Sequence, residues 1–117
     1  MNKHEFIAAV RAAAPALTEQ LEEDHGLFSL QVGTFARHAQ SLIDTGERTA
    51  LQVCFSLIEQ ALRAGDSTVV NALGVAFLEH LNFTDGKCHR SWAVRYLQPQ
   101  SMATLRALGR CPAGDAG

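Results

Sequence analysis

The sequence predicts an all-α fold, a compact bundle of five or six helices in up-down succession. Three observations carry this expectation. Large apolar residues recur in steps of three and four along most of the chain. No segment alternates apolar and polar residues as a half-buried strand does, and Val69-Val70 is the one adjacent β-branched apolar pair. The breaks between periodic runs carry residues that end and start helices. A length of 117 residues bounds this to a single domain, expected over 1–109, with a radius of gyration of about 13 Å.

Phe6, Ile7, Val10, Leu17 and Leu21 keep helical phase, but Pro15 removes a donor and clashes with the preceding turn. The N-terminal stretch is therefore one kinked helix or two short ones. Glu22-Glu23-Asp24 and His25-Gly26 interrupt the pattern. Phe28, Val32, Phe35, Ala39, Leu42 and Ile43 then form one stripe, with Arg37, His38, Gln40 and Ser41 on the other side. Gly46, after Asp44-Thr45, suits a left-handed terminating residue. The next stripe is Leu51, Cys54, Phe55, Ile58, Ala61 and Leu62, while Gln52, Ser56, Glu59, Gln60 and Arg63 face away. Gly65 closes that helix, and the Asp66 carboxylate serves the orphan amides of the following one. So short a link forces an antiparallel hairpin.

Val69, Val70, Leu73, Val75, Phe77, Leu78 and Leu81 surround most of the circumference of the next helix. A helix apolar all round is buried by several neighbours, which places 67–82 at the centre. Ser91 to Leu97 is a short helix carrying Trp92, Val94 and Leu97. Pro99 opens a last one with Met102, Leu105 and Leu108, closed by Gly109. Residues 110–117 are expected to be a flexible tail. HEAT-like packing is compatible with this succession, although the hairpins share only their period.

Hydrophobic residues make up 47% of the chain and charged ones 19%, enough to bury a core and too apolar for disorder. A net charge of −2 argues against a nucleic-acid partner held by phosphate neutralisation. No apolar run approaches the ~20 residues of a membrane span. Glu5 and Arg11 interrupt the first segment where a secretory signal needs an apolar stretch. The expectation is a soluble, cytoplasmic protein. Three cysteines fit it, because an odd count is no disulfide framework. Cys54 reads as a small core residue, and Cys88 and Cys111 as exposed thiols.

Candidate chemistry is sparse. His80, Cys88, His89 and Cys111 lack the paired spacing of a zinc site, and Cys88-His89 are adjacent, which does not suit chelation. His4, His25 and His38 have no partner at metal-binding spacing. No serine stands in a Gly-x-Ser-x-Gly setting, and no glycine-rich phosphate loop occurs. No metal, cofactor or catalytic residue is therefore expected. Glu79, among apolar neighbours, reads as a partly buried carboxylate pairing with Arg90 or Arg95, or as a residue at the rim. Asn71 reaches water or satisfies a backbone group between helices. Trp92 is either core or surface.

Topology sorts the charges. Alternate loops of an up-down bundle share an end. Loops 44–47 and 83–91 would gather Asp44, Glu47, Asp85, Lys87, His89 and Arg90 near Trp92. Loops 22–26 and 64–67 would gather Glu22, Glu23, Asp24 and Asp66 into an almost purely acidic face suited to a basic partner.

Residues 61–81 read Ala-Leu-Arg-Ala-Gly-Asp-Ser-Thr-Val-Val-Asn-Ala-Leu-Gly-Val-Ala-Phe-Leu-Glu-His-Leu. This stretch resembles a small, uncharacterised bacterial all-helical family with a Gly-Asp turn followed by an Asn-x5-Phe-Leu-Glu helix. The matching positions are Gly65, Asp66, Asn71, Phe77, Leu78 and Glu79. Tyr96-Leu97-Gln98-Pro99 resembles the family's segment before its last helix, where Gly-Pro is more typical. The resemblance covers residues 27–108 and implies an accessory role, for some members as immunity proteins of polymorphic toxin systems. It supplies no catalytic residue.

The expected function is thus an immunity protein that neutralises a cognate toxin by stoichiometric occlusion. Glu22, Glu23, Asp24 and Asp66, or Asp44, Glu47 and Asp85 with His89 and Arg90, would meet the toxin. The alternative is a non-catalytic helical adaptor or self-associating scaffold. An enzyme is the third reading, which a pocket gathering Glu79, His80 and His89 would favour.

Overall fold

Six α-helices form among the residues that the computed structural model describes, 1–81 and 91–107, and no strand occurs among them. They are α1 (Lys3–Ala13), α2 (Thr18–Glu23), α3 (Phe28–Thr45), α4 (Arg48–Ala64), α5 (Ser67–Ala72) and α6 (Pro99–Ala107). A capping box starts α1: Asn2 Oδ1 accepts from Glu5 N–H at 2.9 Å, and Glu5 Oε1 accepts from Asn2 N–H at 3.0 Å. Pro15 separates α1 from α2 by a 3₁₀ turn over Pro15–Leu17, so the N-terminal stretch is two short helices.

Gly46 ends α3 at φ 75°, with Glu47 N–H bonded to Leu42 C=O at 2.9 Å and Gly46 N–H to Ile43 C=O at 3.3 Å. That is the Schellman arrangement, in which a left-handed glycine satisfies the last carbonyls. Gly65 ends α4 for another reason. Its φ is −73°, which any residue adopts, but a Cβ there would collide with the Ala61 carbonyl and press on Val69. Asp66 caps α5, accepting from Val69 N–H at 3.0 Å. Its own N–H donates to Met1 C=O at 2.9 Å, which ties the start of the chain to this turn.

The stretch from Ser67 to His80 stays helical while changing type: α5, then a π turn over Leu73–Phe77, then a 3₁₀ turn over Leu78–His80. It packs on α1, α3, α4 and α6. It is not enclosed on every side, however. Val69, Leu73, Phe77, Leu78 and Leu81 are buried, whereas Asn71, Glu79 and His80 are exposed and Val75 is 59% exposed. The exposed valine corrects the all-round burial expected from its apolar character, which does not bar a residue from the surface.

Phe6 links this core together. Its ring meets Phe28 edge-on at 6.0 Å and Phe35 at 6.2 Å, and Phe35 lies 5.4 Å from Phe77. The chain of rings joins α1, α3 and the π turn at distances where aromatic pairs attract. The radius of gyration is 13.4 Å, as a single packed domain of this length requires. Residues 91–96 form a 3₁₀ helix, and Pro99 opens α6 as its fixed φ favours. Gly109 and the expected tail lie outside the described residues, as do Cys88 and Cys111. Among the described residues no helix is long and apolar enough to cross a membrane.

Candidate functional site

Burial commonly perturbs reactive groups, and Glu59, Cys54 and His38 are shifted in this molecule. Glu59 is 3% exposed, contrary to the outward face expected for it. Its carboxylate accepts from Gln100 N–H at 2.9 Å, Ser101 N–H at 3.0 Å, Ser101 Oγ at 3.1 Å and Arg63 Nε at 2.8 Å. Desolvation pushes its pKa up, but the bonds from Arg63, Gln100 and Ser101 outweigh that and hold it below the ordinary carboxylate value. Both oxygens are engaged in capping α6, so Glu59 is a structural anion. Cys54 is buried, and desolvation pushes its thiol up to about 11, leaving it a protonated packing group. His38 is half-buried and held below its ordinary value by desolvation. Glu79 is exposed, so the rim position replaces the partly buried one expected for it, and Arg90, one of its two expected partners, lies outside the described residues.

The acidic residues singled out in the sequence take different positions. Glu22, Glu23 and Glu47 are exposed. Asp24 is half-buried and accepts from Gln20 Nε2 at 3.2 Å, and Asp44 accepts from Gln40 Nε2 at 3.2 Å. Asp66 is the α5 cap described above. Asp85, His89 and Arg90 lie outside the described residues. The expected meeting of loop 44–47 with loop 83–91 falls outside the described residues, but the residues that follow each loop do meet. The Arg48 guanidinium stands 5.1 Å from the Trp92 ring centroid, and Tyr96 meets that ring edge-on at 5.6 Å. Trp92 is half-buried, packed against the core and under the Arg48 cation.

The other end is not purely acidic. Met1 N–H donates to Ala64 C=O at 2.6 Å, while Lys3 and His4 share a cavity with His25 and Gly26. Lys3 and His4, in the first turn of α1 together with Glu5, thus stand beside the acidic loops.

A groove runs between α3 and the 67–80 stretch, with a volume of about 570 Å³. Gly33, Ala36, Ala72 and Ala76 form its small-residue floor, and Leu30 and Val75 stand beside it at 54% and 59% exposed. Arg37 and His80 edge it, Arg37 donating to Thr34 Oγ1 at 3.1 Å. The π turn contributes Val75 and Ala76. Such turns recur at functional sites because they turn side chains out of α-helical phase.

A family model described as Domain of unknown function (DUF7674) matches residues 7–107. The chain belongs to this family. No curated protein and no solved structure matches it. The match ends with α6 and includes all but the first turn of α1, so the DUF7674 domain is the helical bundle itself.

Within this DUF7674 domain, the Gly-Asp turn and the helix after it have structural tasks. Gly65 and Asp66 shape the α4–α5 turn, Phe77 and Leu78 fill the core, and Asn71 and Glu79 point outward. Arg48, Leu30 and the groove escaped the sequence reading. The spacing of Leu30, Gly33 and Arg37 along one face of α3 is the signal that carries the groove.

Proposed function

We propose that this DUF7674 protein neutralises a bacterial toxin by binding it one to one, as an immunity protein. The groove between α3 and the 67–80 stretch is the observation that supports this reading. A concave apolar strip of helix length, with Leu30 and Val75 exposed over small residues, suits an apolar segment of another protein. Glu22, Glu23 and Asp24 precede α3, while Asp44 lies in its last turn and Glu47 follows it. A toxin segment with an apolar face and basic ends complements that layout. The carboxylates steer the approach, and the two aliphatic side chains contribute roughly 1–2 kcal/mol each when covered. Occlusion of the toxin needs no chemistry from this chain.

Co-expression with the product of the neighbouring gene tests the proposal. Growth is expected to stop with that product alone and to resume with this chain present. A neighbour that is harmless alone, or equally toxic with and without it, overturns the reading. The adaptor reading draws on the same exposed pair. A dimer by light scattering that dissociates on Leu30→Asp would favour it.

A further inference from the structure

Lys3, Ile7 and Arg11 stand four residues apart on one face of α1, with His4 beside them. The turn before α3 pivots on Gly26, at φ 84°, and brings His25 to that face. Together with Phe28 and Gln31 these residues line a half-open cavity of about 210 Å³. None of the residues that line it is acidic. Gln31 already donates to Leu21 C=O at 2.9 Å. Arg11 Nε, by contrast, is buried without a hydrogen-bond partner. A buried cationic donor left unsatisfied is costly, and an anion held beside the guanidinium offsets that cost.

We propose that this cavity binds a small organic carboxylate with an apolar body. The guanidinium and the imidazoles offer donors to a carboxylate, and Lys3 adds a positive charge at the mouth. Ile7 and Phe28 supply an apolar wall that a hydrated inorganic anion does not use. The volume exceeds the ~150 Å³ of a cavity that admits benzene, which leaves room for a ring and its carboxylate. This site is separate from the α3 groove and neither needs nor excludes a toxin.

The test is an NMR titration of the full chain with benzoate, with inorganic phosphate as a parallel arm at matched ionic strength. Benzoate is expected to shift Arg11 Nε–H, His25 and Phe28 resonances saturably, and to bind at least tenfold more weakly to Arg11→Gln. The exposed double variant Lys3→Gln/His25→Gln leaves the core untouched and is expected to weaken binding as well. Absence of a saturable shift up to about 20 mM benzoate overturns the proposal. So does equal affinity in the folded double variant, or phosphate binding as tightly as benzoate.

Discussion

At residue scale, Glu59 shows how far a carboxylate's role depends on what arrives from elsewhere in the chain. On α4 it neighbours the apolar stripe on its polar flank, and local pattern alone turns it to water. The α6 N-terminus, 41 residues later, has Gln98 before Pro99 and no Ser, Thr, Asp or Asn to cap it. That missing cap is legible in the sequence, but the residue that supplies it is not, because the pairing is tertiary. Glu59→Gln is expected to cost about 2–4 kcal/mol in urea unfolding, because the α6 amides lose a charged acceptor. Arg63 is 62% exposed, so its share of the pair is small. The folded pKa of Glu59 lies below its unfolded value, so the unfolded chain binds the proton more readily. The stabilisation is present above the unfolded carboxylate value of about 4.3 and fades as pH falls through the lower folded value. Unfolding curves recorded from pH 6 downward, at about one-unit steps, should show wild type losing this increment and Glu59→Gln lacking it.

At the scale of elements, the local stops and starts were legible. Pro15, Gly46, Asp66 and Pro99 act within a turn of themselves, and each marks a boundary where the spacing predicts one. Asp66→Ala should lower stability by about 1 kcal/mol through loss of the α5 cap, measured by thermal or urea unfolding. Gly65→Ala should cost more, because the new methyl meets the Ala61 carbonyl. If Gly65→Ala unfolds at the wild-type midpoint, the close approach at this turn is wrong. The 67–80 stretch was only half legible. Its apolar content predicts a buried element, and its inner residues are indeed core. Val75 stands two residues from Leu73, about 200° round a regular helix, and is 59% exposed there. Side-chain chemistry reports the wish for burial, and only the arrangement of neighbours reports whether it is met.

For the whole molecule, the periodic apolar stripes were enough to foresee an all-helical bundle, since every stripe needs a partner. Which charges face which loop was harder to foresee. The N-terminal turn, joined to Ala64 and Asp66 through Met1, sets Lys3 and His4 beside loops that the sequence presents as acidic. Net charge and loop order carry no information about such an insertion. The groove beside Leu30 and Val75 likewise arises from the relative placement of two helices.

The proposed immunity role puts the toxin on this face of α3 and the 67–80 stretch. Isothermal titration of the neighbouring gene's product into wild type and into Leu30→Asp/Val75→Asp tests it most directly. Wild type is expected to form a one-to-one complex, and the double variant to lose at least about 100-fold in affinity while folding normally, because both sites are exposed. Unchanged affinity in the folded double variant would contradict it.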